Sequence, residues 1–122
     1  MNLRMFKKSL GYAMRGFVYV FRNEQNFRLQ FFISILVLLI SALLPISKNE
    51  LILVLLLIFT VLGLELLNSA IEKFLDVLKP RMTYQAGTVK DIMASVVFLA
   101  SCGAVIIGAL IFWPYLVEFI SQ

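Results

Sequence analysis

The sequence predicts an all-α integral membrane protein with an N-terminal surface helix and three transmembrane helices. Three observations support this class. Of the 122 residues, 61% are apolar and 15% are charged; the mean hydropathy is +0.96; and the apolar residues form three long runs. This composition differs strongly from that of an average soluble domain. We expect one domain over residues 1–122 that oligomerises, because so short a chain cannot enclose a large site alone.

The N-terminal segment, about residues 3–22, has the pattern of an amphipathic helix. Its apolar residues recur at alternating spacings of three and four, namely Leu3, Phe6, Leu10, Ala13, Phe17 and Val20. Basic residues occupy the other faces, namely Arg4, Lys7, Lys8, Arg15 and Arg22. This pattern predicts a basic helix lying on the membrane surface. A cleavable signal peptide fits less well, because the basic residues continue to Arg22 without a small-residue cleavage site.

Three apolar segments have the length of transmembrane spans, at about residues 27–45, 51–72 and 91–113. Each approaches the ~20 residues that cross a hydrocarbon core of ~30 Å. Pro45 ends the first span, and Trp113 and Tyr115 suit the aromatic belt at a membrane interface.

The basic residues predict the orientation of the spans. They are frequent in the N-terminal segment and again around the connection between the second and third spans, at Lys73, Lys79, Arg81 and Lys90. The connection at 45–50 holds only Lys48. The positive-inside rule therefore places the N-terminus and the 73–91 connection in the cytoplasm, with the C-terminus outside.

The second span carries acidic residues in the stretch GLELLNSAIEKFLD, residues 63–76. With a rise of ~1.5 Å per residue, Glu65 lies in the inner leaflet and Glu72 at the cytoplasmic interface. One sector of the helix contains Glu65, Asn68, Ser69, Glu72 and Asp76. An ionised group inside the membrane costs roughly 2.5–3.5 kcal/mol, so we favour a function for Glu65 over a structural hydrogen bond. Lys73 and Asp76 are equally well explained as solvated charges where the helix leaves the membrane.

Further polar residues lie at the same depth on two other elements. Asn23 and Glu24 precede the first span, and Lys90 and Asp91 precede the third. Together with the stripe on the second span they offer oxygen ligands for Mg²⁺, a buried base and a cation for phosphate. The chain has no histidine and one cysteine, Cys102, which excludes an intrachain disulfide and argues against a zinc site.

Three segments carry a resemblance to a known family. NEQNFR (23–28), ELLNSAIEKFLD (65–76) and the pair KD (90–91) resemble the small prokaryotic membrane lipid kinases, the diacylglycerol kinase and undecaprenol kinase family. The pattern E-x-x-N-[ST]-A-[IV]-E-x-x-x-D is long and specific, and the similarity extends over nearly the whole chain. It implies a homotrimer in a bacterial cytoplasmic membrane, with composite sites between subunits that face the cytoplasm. It also implies transfer of the γ-phosphate of MgATP to a lipid hydroxyl.

The resemblance implies a role for each polar residue of these segments. Glu65 would be the catalytic base, and Glu24 and Glu72 would hold the Mg²⁺ that accompanies ATP. Asn68 and Asp76 would support the site. The remaining implied contacts are with the nucleotide, from Tyr12, Arg81, Met82, Thr83, Lys90 and Asp91.

The sequence departs from the family pattern in ways that leave the acceptor lipid open. Diacylglycerol-type members usually have glutamate at the position of Gln30 and serine at that of Ala94, and the loop MTYQAG lacks the usual histidine. We therefore expect either diacylglycerol or undecaprenol as acceptor.

A non-enzymatic membrane oligomer is the alternative interpretation. A transporter should line a path across the membrane with polar groups, yet the outer half of every span is apolar. A regulatory subunit does not explain acids at one depth on three elements. No nucleic acid partner is expected, because the net charge of +4 suits an anionic membrane surface.

Overall fold

The computed structural model describes residues 2–78 and 83–122, which form four α-helices. These are α1 (Leu3–Asn23), α2 (Gln25–Leu43), α3 (Lys48–Leu78) and α4 (Thr83–Ile120). Three segments are long and apolar enough to cross a membrane: Gln25–Leu43, Lys48–Leu78 and Tyr84–Ile120. The all-α class with three long apolar helices is therefore confirmed.

Local hydrogen bonds explain where the helices begin and end. The Asn2 side chain caps α1 by accepting a hydrogen bond from the Arg4 amide at 3.0 Å. Ser47 and Glu50 form a reciprocal capping box before α3: the Ser47 hydroxyl accepts from the Glu50 amide at 3.2 Å, and the Glu50 carboxylate accepts from the Ser47 amide at 2.9 Å. Leu44, which precedes Pro45, is extended, as the residue before proline usually is.

Two helices extend well beyond the predicted spans. α3 has 31 residues, so it is about 46 Å long and exceeds the ~30 Å hydrocarbon core by several turns. α4 starts eight residues before the predicted span 91–113 and continues through Pro114 to Ile120. Proline is tolerated in membrane helices, where neighbouring groups satisfy the freed carbonyl. The following residue, Tyr115, donates a hydrogen bond to Glu50 and so ties α4 to the start of α3.

α3 occupies the centre of the bundle and packs against α4, α2 and α1, while α1 also packs on α2. The contact between α1 and α2 is aromatic: Phe27 is fully buried, and its ring meets that of Phe17 edge to face at 5.2 Å. Few other side chains are buried in the single chain, and large apolar residues such as Phe59 and Phe98 are exposed. Such a surface requires lipid or other subunits to cover it.

An apolar groove of about 430 Å³ runs along α3 between α2 and α4. Its walls include Val37 of α2, Val61 of α3, and Ala104 and Gly108 of α4. In the part of the chain that is described, α2 and α4 make no direct backbone packing contact. Polar side chains in the groove lining come from Gln30, Ser34 and Ser101.

Candidate active site

Glu65 is a buried carboxylate in the middle of an apolar helix. It lies on α3, and 6% of its surface is exposed. The buried residues of α3 also include Val61 and Ser69, one turn to either side of Glu65. A carboxylate in such surroundings has lost most of its contact with water. Its remaining polar contacts therefore determine its protonation state and its orientation.

The Gln30 side chain supplies the polar contact to Glu65. Its amide nitrogen Nε2 lies 3.3 Å from Oε1 of Glu65 and 3.2 Å from Oγ of Ser101. One side chain of α2 therefore connects α3 with α4. The two hydrogens of the amide group allow both hydrogen bonds at once.

Glu24 and Glu72 lie close enough to Glu65 to interact with it electrostatically. Glu72 is on α3, two turns after Glu65, and Glu24 lies between α1 and α2. The Glu24 side chain makes no capping hydrogen bond to α2. Three carboxylates from two parts of the chain thus converge at one end of the bundle, which we call the acidic end.

The junction between α1 and α2 fixes the position of Glu24. Its backbone is extended, and its amide donates to the Val20 carbonyl at 2.8 Å. The Arg28 guanidinium nitrogen Nη1 donates to the carbonyls of Phe21 and Arg22 at 2.9 and 2.7 Å. Arg28 therefore satisfies carbonyls that the end of α1 leaves without helical partners.

Asn68 lies between Glu65 and Glu72 on the same helix. Its Nδ2 is 3.5 Å from Oε1 of Glu72, a long hydrogen bond. Its Oδ1 is buried and has no hydrogen-bond partner among the described residues. Burial of an amide oxygen without a hydrogen-bond partner costs free energy. Between Glu65 and Glu72, this oxygen adds one more hydrogen-bond acceptor to the two carboxylates.

Two cations border the acidic end. The Lys90 ammonium forms an ion pair with Asp76 at 3.0 Å. The Lys73 ammonium lies 5.0 Å from the centre of the Tyr19 ring, a cation–π contact between α3 and α1. Lys73 also interacts electrostatically with Glu24 and Asp76, so the cations and carboxylates form one charged cluster.

Not every predicted site residue joins this cluster. The Tyr12 ring contacts the Arg15 guanidinium at 4.7 Å and is 64% exposed. Asp91 is exposed, and its carbonyl accepts a hydrogen bond from Ser95 at 3.1 Å. Arg81, Met82 and the side chain of Thr83 lie outside the described residues.

The groups that the sequence analysis did not assign to the site are Gln30, Ser101, Lys73 and Tyr19. Gln30 appeared only as a departure from the family pattern. A signal was available: Gln30 is a polar residue inside an apolar span, and such residues face the interior of a bundle. Its pairing across helices depends on their relative rotation, which a single sequence does not give.

The comparison with protein families decides the assignment. The family of prokaryotic diacylglycerol kinase matches residues 11–112 of the chain. The chain belongs to this family. The family and the enzyme class, a phosphotransferase, are thus as the sequence predicted.

Individual members of the family are similar over most of their length. The undecaprenol kinase of Bacillus subtilis is 36% identical over 115 residues, which cover 94% of this chain and 94% of the relative. The diacylglycerol kinase of Haemophilus influenzae is 33% identical over 94 residues, covering 77% and 80%. The diacylglycerol kinase of Escherichia coli K12 is 28% identical over 108 residues, covering 88% of each. The acidic end is therefore the candidate active site of a membrane kinase.

Proposed function

We propose that the protein transfers the γ-phosphate of MgATP to the hydroxyl of a membrane lipid, either diacylglycerol or undecaprenol. One observation carries the proposal: a buried carboxylate, Glu65, lies on an apolar helix within two turns of Asn68 and Glu72, whose side chains are 3.5 Å apart. A lipid hydroxyl reaches this depth from the membrane, and ATP reaches the more exposed acids from water.

In this reaction Glu65 is the base. The hydroxyl oxygen of the lipid forms a bond to the γ-phosphorus while the bond from that phosphorus to the bridging oxygen of ATP breaks. ADP leaves, and the hydroxyl proton ends on the Glu65 carboxylate. Phosphoryl transfer needs little covalent participation from the protein, so positioning and charge supply most of the catalysis.

Glu24 and Glu72 are the proposed ligands of Mg²⁺. Among residues 2–78 and 83–122, no three His, Cys, Asp or Glu side chains form a ligand set for one metal ion. Two carboxylates fit Mg²⁺, which commonly binds one or two of them and completes its octahedron with water and substrate phosphates. The Asn68 oxygen, which has no hydrogen-bond partner among the described residues, would offer a further acceptor beside these two ligands. When bound, the ion neutralises phosphate charge.

Lys90 is the proposed nucleotide contact within the charged cluster. Lys90, held by Asp76 at 3.0 Å, supplies a cation for phosphate, as the cations of phosphoryl-transfer sites do. The family pattern adds the residues Tyr12, Arg81, Met82, Thr83 and Asp91, and it assigns supporting roles to Asn68 and Asp76.

The apolar groove supports a lipid acceptor. Its lining includes Gln30, whose side chain donates to Glu65. A hydrocarbon chain along α3 would therefore bring its polar end next to the proposed base. Burial of apolar chain surface supplies the binding free energy, at about 25 cal/mol per Å².

The membrane arrangement is also part of the proposal. α1 lies on the cytoplasmic surface of a bacterial cell membrane, and α2, α3 and α4 cross it with the acidic end toward the cytoplasm. Three copies form a trimer with sites shared between neighbours. The exposed apolar faces of α2–α4 in the single chain support such an assembly.

A transfer assay tests the proposal. Purified protein in mixed micelles receives MgATP labelled in its γ-phosphate, with diacylglycerol and undecaprenol offered in parallel. We expect labelled phospholipid in at least one arm and none without Mg²⁺. Absence of transfer to both lipids, with an intact oligomer, would refute the kinase function.

A further inference from the structure

The Gln30 amide links three transmembrane helices at the proposed base. Nε2 lies 3.3 Å from the Glu65 carboxylate on α3 and 3.2 Å from the Ser101 hydroxyl on α4, while Gln30 itself is on α2. Within the described ranges it is the one hydrogen-bond donor that reaches Glu65. The lack of direct backbone packing between α2 and α4 makes this side chain their polar connection.

The chemistry of the partners fixes the orientation of this amide. An ionised carboxylate only accepts hydrogen bonds, so the nitrogen of Gln30 and not its oxygen must face Glu65. The second amide hydrogen is then directed at Ser101, whose oxygen can accept it. Hydrogen bonds to charged groups contribute more than neutral ones, and they contribute most where water is excluded, as it is around Glu65.

We propose that Gln30 is a positioning residue that holds the Glu65 carboxylate in the orientation required for catalysis, with Ser101 as its anchor on α4. The amide occupies one carboxylate oxygen, and the other oxygen accepts the proton of the lipid hydroxyl. This inference rests on the proposed function, because it assigns Glu65 the role of the base.

The role of Gln30 differs from that of a packing residue in a measurable way. A packing residue contributes to stability, whereas loss of a positioning residue lowers turnover in a folded enzyme, since a small displacement of a reacting group costs up to about a hundredfold in rate.

The first test compares kinetics of three variants in the oligomeric, detergent-solubilised enzyme. Gln30→Leu keeps a similar volume and removes both donor hydrogens, and we expect kcat to fall at least about tenfold with both KM values within about twofold of the wild type. In Gln30→Glu, the new carboxyl group and Glu65 share one proton, so one hydrogen-bond donor remains between them. We expect the kcat of this variant to lie between those of Gln30→Leu and the wild type. Ser41→Ala is the control, because the Ser41 hydroxyl on α2 donates only to the Val37 carbonyl.

The second test does not depend on activity. The antisymmetric stretch of the ionised Glu65 carboxylate, identified by its loss in Glu65→Gln, should shift in the infrared spectrum of Gln30→Leu and stay unchanged in Ser41→Ala. An unshifted band, or wild-type kcat in folded Gln30→Leu, would overturn the positioning role while leaving the kinase function intact. If the wild type phosphorylates neither lipid, the proposed function fails, and the infrared comparison still decides whether Gln30 acts on Glu65.

Discussion

The Lys90 ammonium lies 3.0 Å from the Asp76 carboxylate, so an ion pair joins the start of α4 to the end of α3. The two side chains are 30% and 53% exposed. Water screens a pair of this kind, and such pairs contribute between zero and about 1 kcal/mol to stability. The pair is therefore more important for where it holds the cation than for the stability of the fold.

Replacement of Lys90 should affect nucleotide binding more than folding. In Lys90→Ala we expect the KM for MgATP to rise about tenfold, the effect of losing one charged contact to phosphate, with the KM for lipid unchanged. Kinetics with each substrate varied in turn measure both values. Lys48→Ala, which removes a cation at the opposite end of α3, is the matched control. An equal rise in both KM values would contradict a nucleotide contact.

Glu65→Gln should abolish turnover without loss of nucleotide affinity. The amide has the shape of the carboxylate but cannot accept the hydroxyl proton, and loss of a general base costs about 10²–10⁴-fold in rate. Equilibrium binding of labelled ATP in the presence of Mg²⁺ should remain close to wild type.

Glu72→Gln should show the opposite result, with impaired Mg²⁺-dependent ATP binding. If both variants lost affinity equally, the division of roles between the two acids would be wrong.

The Mg²⁺ requirement should depend on Glu24 as well as on Glu72. Glu24→Gln replaces a charged ligand by a neutral one, and we expect the Mg²⁺ concentration for half-maximal activity to rise by about tenfold or more. A Mg²⁺ titration at fixed ATP measures this. Glu118→Gln is the control, because Glu118 is an exposed acid near the other end of α4. The same shift in both variants would point to a general effect of charge.

Filling the apolar groove should weaken lipid binding alone. Ala104 lines the groove, and Ala104→Phe should raise the KM for the lipid acceptor several-fold, since a displaced hydrocarbon chain loses about 0.8 kcal/mol per methylene group. Ile106→Phe places the same ring two residues away on α4, where the side chain is 60% exposed, and should have no such effect. Unchanged lipid kinetics in Ala104→Phe would argue against a chain in the groove.

The aromatic contact between α1 and α2 should be important for stability. Phe27 is fully buried against Phe17, so Phe27→Ala leaves a cavity and should cost about 3–5 kcal/mol of unfolding free energy. Denaturation of the protein in detergent micelles, followed by circular dichroism, measures the change. Phe98→Ala, at a position 71% exposed, should cost much less. Similar losses in the two variants would mean that α1 does not pack on α2.

The sequence was sufficient to predict the helices, because long apolar runs and the amphipathic spacing of residues 3–22 are local signals. It was insufficient for their ends at Thr83 and Ile120, since hydropathy detects only the part of a helix that matches the membrane. Pro114 directly follows the predicted span 91–113 and lies inside α4. The hydrogen bond from Tyr115 to Glu50 joins residues 65 positions apart and has no local signal.

The site was predictable where residues share one helix and less so where they meet across helices. Glu65, Asn68 and Glu72 follow the helical repeat, so their common face could be deduced from spacing. The proximity of Glu24 was expected from depth and family resemblance, and its electrostatic interaction with Glu65 agrees with that expectation. The contact of Gln30 with Ser101 was not expected, because it depends on how α2 and α4 are rotated relative to each other.

The corner between α1 and α2 has a mechanical consequence. Arg28 donates hydrogen bonds to two carbonyls at the end of α1, and the Phe27 ring packs edge to face on Phe17, so contacts of two kinds hold the corner. Glu24 is the residue at this corner, so a substitution that releases Arg28 or Phe27 would also displace an acidic side chain of the candidate site.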